Sequence, residues 1–209
     1  MKKQEDIEEK EEILDEGKIK SQNKQIKITL VIGAGLILLI LLGFFVISSI
    51  KHFKYKGMNF DIEKYQDLII YRTFFPVSSI TGEHIADYNI YLRNDPRKLK
   101  DIPITGEINL QYDIVINADE MEQANCEDNV IAIANMRDVL TSLVIKKHFF
   151  RNETLKCDLN GLYTYIEIKN SDRNSILQFG PSCYYLNVKD CDVLKTTEKF
   201  LIEVLAKNA

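Results

Sequence analysis

The chain has no tryptophan, only four prolines, and no pair of cysteines at C-x-x-C spacing. That last absence removes the thioredoxin-type redox motif and the zinc knuckle, both of which need two sulfurs about one turn apart. The three histidines, His52, His84 and His148, are far apart and match no metal-ligand spacing, and His148 is expected at a helix end. There is no His-Glu-x-x-His, no Gly-x-Ser-x-Gly and no phosphate-binding loop. Gly33-Ala34-Gly35 lies inside an apolar run, where it can serve helix packing and not nucleotide binding. A basic excess is also missing. Lys and Arg number 27 against 31 Asp and Glu, for a net charge of −4. A nucleic-acid partner, which calls for a basic stripe, is not expected. Nothing in these patterns implies a cofactor or a metal.

What is present begins with a long apolar run. From Ile28 to Ile50 there is no charged residue, Asn, Gln, His or Pro. As a helix the run would reach roughly 35 Å, against a hydrocarbon core of about 30 Å. Lys27 and Lys51 bracket it and can snorkel to the interfaces. The run is longer than a signal-peptide h-region, so it reads as an uncleaved transmembrane signal-anchor. Residues 1–27 before it are acids and lysines that nearly cancel, with too few apolar side chains for a core, and read as a disordered tail. Residues 51–60 alternate basic and aromatic side chains and read as a juxtamembrane linker in the headgroup layer. Residues 61–209 then form one domain of ordinary size.

The flanking lysines do not orient the span. Lys18, Lys20, Lys24 and Lys27 balance Lys51, Lys54, Lys56 and Lys64. The four cysteines, Cys126, Cys157, Cys183 and Cys191, break the tie, because an even number confined to one domain suits disulfides and an oxidising exterior. The sequon Asn152-Glu153-Thr154 points the same way and makes Asn152 a glycosylation candidate. The expected placement is a cell membrane, with the N-terminus cytoplasmic and the C-terminal domain extracytoplasmic. The competing reading is a cytoplasmic domain with four buried, reduced cysteines.

Within the domain, Leu68 to Phe75 reads as a strand, and His84 to Arg93 as a half-buried strand paired with it. A third strand is clearest at Tyr112 to Asn117. Asn125 is then a candidate N-cap for an amphipathic helix carrying Val130, Ile133, Met136, Val139, Leu140, Leu143 and Val144. Leu162 to Ile168 and Ser175 to Phe179 read as a hairpin across Asn170-Ser171-Asp172, followed by a strand from Cys183 to Val188. Asp190 or Asp192 caps a last helix, with Val193, Leu194, Phe200, Leu201, Val204 and Leu205 inward. The fold class is α/β (α+β): a mixed sheet of about five to six strands with two packed helices, after one transmembrane helix.

Strand directions constrain the cysteine pairing. Cys183 and Cys191 flank a strand too long for a disulfide to close. Cys126 and Cys191 each follow a strand and precede a helix, so they share one sheet edge if those strands are parallel. Cys157 and Cys183 each precede a strand and meet at the opposite edge. The expected bridges are Cys126–Cys191 and Cys157–Cys183. Arg93, Asp95 and Arg97 around Pro96 form a candidate anion-binding turn, against the plainer reading of a solvated turn with local hydrogen bonds.

Two further stretches carry a resemblance. They are Tyr91-Leu92-Arg93-Asn94-Asp95-Pro96-Arg97-Lys98-Leu99 with Ile102-Pro103-Ile104-Thr105-Gly106, and Cys183-Tyr184-Tyr185-Leu186-Asn187-Val188 running to Cys191 and Glu198-Lys199-Phe200. With the N-terminal span, they resemble uncharacterised single-span membrane proteins of DPANN-type archaea. The resemblance implies an archaeal envelope location and no mechanism. The functional expectation is a membrane-anchored module of cell-envelope interaction or assembly with an envelope protein partner, not an enzyme. The alternative is a membrane-tethered enzyme with a thiol or carboxylate site, including a Cys157 nucleophile activated by His84 or His148.

Overall fold

The computed structural model describes residues 27, 29–45, 51–78, 83–143, 148–151 and 155–208. The chain divides into two compact units, Met1–Ile50 and Lys51–Ala209. In the first, residues 29–45 are helical (α1), and their large apolar side chains, from Leu30 to Phe45, are exposed. Among the described residues no helix is long and apolar enough to cross a membrane. Seventeen helical residues reach about 25 Å, short of a hydrocarbon core of about 30 Å. Residue 28 and residues 46–50 of the apolar run lie outside the described residues.

The second unit is α+β, with two sheets where the sequence suggested one. A four-stranded antiparallel sheet has the order β1 (His52–Tyr55), β2 (Met58–Tyr65), β3 (Leu68–Ser78), β4 (His84–Leu92). A 3₁₀ helix, Pro96–Asp101, leads into β5 (Ile104–Thr105) and β6 (Asp113–Asn117). Then come α2 (Asp119–Gln123), α3 (Asn129–Ser142), β7 (His148–Arg151), β8 (Thr164–Asn170), β9 (Ser175–Gly180), β10 (Cys183–Val188) and α4 (Val193–Asn208). The second sheet is mixed and six-stranded, in the order β5-β9-β10-β8-β6-β7.

Four expectations are corrected by this architecture. The stretch 51–60 is no linker. Its alternation is that of a strand, and Lys56 and Gly57, both at positive φ, make a two-residue turn that pairs Tyr55 with Met58. The domain therefore begins at Lys51 rather than Asp61. Next, β8 and β9 do not form a hairpin. β10 lies between them, parallel to β8 and antiparallel to β9. Asn125 caps no helix start either. It sits at φ 53° just past the end of α2, and Asp128 is the N-cap residue of α3. The inner face of α3 is Ala132, Met136, Val139 and Leu140, while Val130 is exposed. Finally, His148 opens β7 rather than ending a helix. The sequon Asn152 lies outside the described residues.

The core is continuous across both sheets. Phe60, Ile90 and Leu92 of the first sheet join Ile114, Ile116, Ile166, Ile168, Tyr184, Leu186 and Val188 of the second in one cluster, to which α3 and α4 also contribute. Period-2 alternation places Val115, Tyr165 and Cys183 on the other face of the six-stranded sheet, in a small cluster with Leu155, Cys157 and Phe179. All the apolar residues expected inside α4 are buried. Tyr184 is fully buried, with its ring 5.6 Å from that of Phe200. Its hydroxyl accepts the Asn109 amide N–H at 2.6 Å and donates to the Asn109 carbonyl at 2.9 Å, fixing the loop between β5 and β6.

Candidate functional site

The cysteines come first, because strand direction positions them. β6 and β10 both run parallel to β8, so their C-terminal ends share an edge. There Cys126 is bonded to Cys191 with Cα atoms 5.4 Å apart. At the opposite edge Cys157 is bonded to Cys183, Cα atoms 5.7 Å apart. These are the two pairs to which the strand directions led. Gly180 makes room for the second bridge, since a Cβ there would lie 2.7 Å from the Cys157 sulfur. With no free cysteine in the chain, a thiol nucleophile, Cys157 included, is ruled out in this oxidised state.

At the Arg93–Arg97 turn the backbone donors meet a side chain of the same domain. Glu198 reaches out of α4 and accepts from the Arg93 amide at 2.7 Å, the Asn94 amide at 3.0 Å and the Asn94 side-chain amide at 2.8 Å. The two arginines do not converge on a vacant position. Arg97 forks onto Asp95 through Nε at 2.9 Å and Nη2 at 2.7 Å, and its guanidinium lies 4.0 Å from the centroid of the Phe53 ring. Asp95 also caps the 3₁₀ helix by accepting the Arg97 amide at 3.0 Å. Arg93 points instead to Asp128, at 3.4 Å. Hydrogen bonding from Arg97 holds Asp95 below the ordinary carboxylate range, against its burial. Burial pushes Glu198 up to about 7, even though three N–H donors oppose that shift. Glu198 is almost wholly buried and does not line the adjacent groove of about 170 Å³ formed by Arg93, Asn94, Asp128, Asp192, Leu194 and Lys195. It is a latch between α4 and the turn.

One helical turn further along, Glu203 accepts Lys199 at 2.8 Å and Lys56 at 2.5 Å, tying α4 to the β1–β2 turn. Burial pushes Glu203 upward, but the two lysines outweigh it and its pKa is lowered. Sequence reasoning missed both glutamates as partners. The available signal was an acid within the apolar stripe of α4, at Glu198 between Leu194 and Leu201.

Two other grooves are present. One, of about 330 Å³, lies between the β5–β6 loop and the end of α4. The other, of about 240 Å³, lies between β4 and α3, lined by Tyr88, Ile90, Leu92, Asn135, Asp138 and Val139 among others. Among the described residues no three His, Cys, Asp or Glu side chains are placed to hold a metal ion. His52 is paired with Asp61 and His84 with Asp87, both on the four-stranded sheet. The second unit is thus a disulfide-bonded α+β domain in which Asp95, Glu198 and Glu203 are held by its own residues. No protein-family model, no curated protein and no solved structure matches the chain.

Proposed function

We propose that this protein is a single-pass membrane protein whose C-terminal domain stands outside the cell and acts in envelope interaction or assembly through its folded surface. The observation that carries the reading is the pair of disulfides, which involve all four cysteines and fit an oxidising compartment. The apolar sequence from Ile28 to Ile50, with helical residues 29–45 inside it, supplies the anchor. The resemblance of its sequence to uncharacterised single-span membrane proteins of DPANN-type archaea is in keeping with an archaeal envelope. The way the acidic groups are used supports a binding role. Asp95, Glu198 and Glu203 are each engaged by neighbouring residues of the same domain, so these acids serve to hold its elements together.

Protease added to intact cells tests the placement. The domain from Lys51 onward should be digested while an N-terminal epitope survives. Protection of the domain until lysis would reverse the orientation.

A further inference from the structure

We infer that the free edge of β4 is a self-association site, where β4 of one copy pairs antiparallel with β4 of a second copy. The inference deepens the proposed envelope role by naming a partner, and it rests on the membrane anchor only in so far as the anchor confines copies to one layer.

The two sheets have four edges among the described residues: β1, β4, β5 and β7. Three are blunted. β5 has two residues, and β1 and β7 have four each, with Lys54 in β1. Short length and edge cations are the usual defences against strand addition. β4 has neither. It runs for nine residues without Lys, Arg or Pro, and among the described residues it pairs only with β3. Its one irregularity is a bulge opposite Val77 and Ser78, at its first residues. The regular part is therefore Ala86 to Leu92, whose middle residue is Asn89.

Pairing that segment with its own copy about Asn89 gives a complementary ladder. Tyr88 faces Ile90 of the second copy on the inner side, an aromatic–β-branched pair. Asp87 faces Tyr91, whose hydroxyl can donate to the carboxylate. Asn89 faces Asn89, and no like charges oppose each other. Tyr91 is 48% exposed in the single copy, and the groove of about 240 Å³ beside Tyr88 and Ile90 leaves room on the inner side. Such an interface is isologous and closes as a two-fold dimer.

The test uses the full-length chain in host membranes with Asn89→Cys. Directly opposed residues in an antiparallel pair have Cα atoms about 4.5–5.5 Å apart, within disulfide range. Mild oxidation should give a covalent dimer on a non-reducing gel. Val130→Cys, at a residue 75% exposed on α3, should not. Asn89→Lys, which opposes two like charges, should weaken dimerisation of the detergent-solubilised chain by up to about fivefold. Equal crosslinking of the two cysteine variants, dimerisation of Asn89→Lys at wild-type strength, or a crosslink from Asn89→Cys to a different protein would each overturn the inference. Fractionating the same cells separates the two readings. A monomer in the membrane pellet refutes the pairing alone, and a soluble chain refutes the anchor.

Discussion

At Glu198 two effects oppose each other on one carboxyl group. Burial favours the neutral acid, whereas three N–H donors favour the anion. Burial wins, and the group titrates near 7 in the folded chain against an ordinary value of 4.5. Below pH 4.5 it is protonated in both states. Above that the unfolded chain ionises first, so stability falls as pH rises to about 7 and is then flat. The loss amounts to about 3 kcal/mol at most. Urea midpoints across that window should fall for the wild type, and Glu198→Gln should remove most of the slope. An unchanged slope would mean that the donors dominate. Gly106 makes a second expectation at this scale. Its φ is +95°, and a Cβ would lie 2.5 Å from the Gln178 side chain, whose Oε1 accepts the Glu107 amide. Gly106→Ala should therefore destabilise the domain by about 1–3 kcal/mol, through strain and overpacking. A wild-type melting temperature would contradict this.

Elements were legible in the sequence where a local pattern decides them. The alternation of β4 and the apolar stripe of α4 each appear where periodicity put them. Pairing partners were less legible. Asn170-Ser171-Asp172 marks a chain reversal correctly, but turn chemistry says nothing about which strand finally lies alongside. β10, fully buried on one face and half-buried along most of the other, takes the position between β8 and β9. The latch was illegible for a related reason. Glu198 meets its donors at Arg93 and Asn94 about a hundred positions away in sequence, and no spacing rule reaches that far. The misread of 51–60 has a measurable consequence. Phe53 stacks on Phe60 with centroids 5.3 Å apart and underlies Arg97. A fragment beginning at Lys51 should fold cooperatively, whereas one beginning at Met58 should have a lower denaturant midpoint. Phe53→Ala in the full chain should cost about 2–3 kcal/mol, less than a fully buried aromatic would. Equal midpoints for the two fragments would show that β1 adds nothing.

For the whole molecule, the two disulfides tie together opposite ends of the six-stranded sheet, and they should differ in how they yield to reductant. Thiol–disulfide exchange needs a thiolate to reach a sulfur in line, so access governs the order of opening. Cys183 is fully buried beneath the small cluster of Val115 and Tyr165, and its partner Cys157 is half-buried. Cys191 is exposed, at φ 59° in the turn before α4, so a thiolate can reach that sulfur although its partner Cys126 is buried. Mild reductant followed by alkylation and peptide mapping should label Cys126 and Cys191 before Cys157 and Cys183. The first bridge also closes the longer loop, with a sequence separation of 65 against 26. In the chain-entropy model its loss costs about 4 kcal/mol, and the other about 3.5 kcal/mol. Reduction of the accessible bridge alone should therefore lower the melting temperature markedly while the small cluster stays closed. The double variant Cys126→Ser with Cys191→Ser should reproduce that intermediate without reductant. Labelling of Cys157 and Cys183 first would mean that the cluster opens more readily than the surface turn, and the order of access argued here would be wrong.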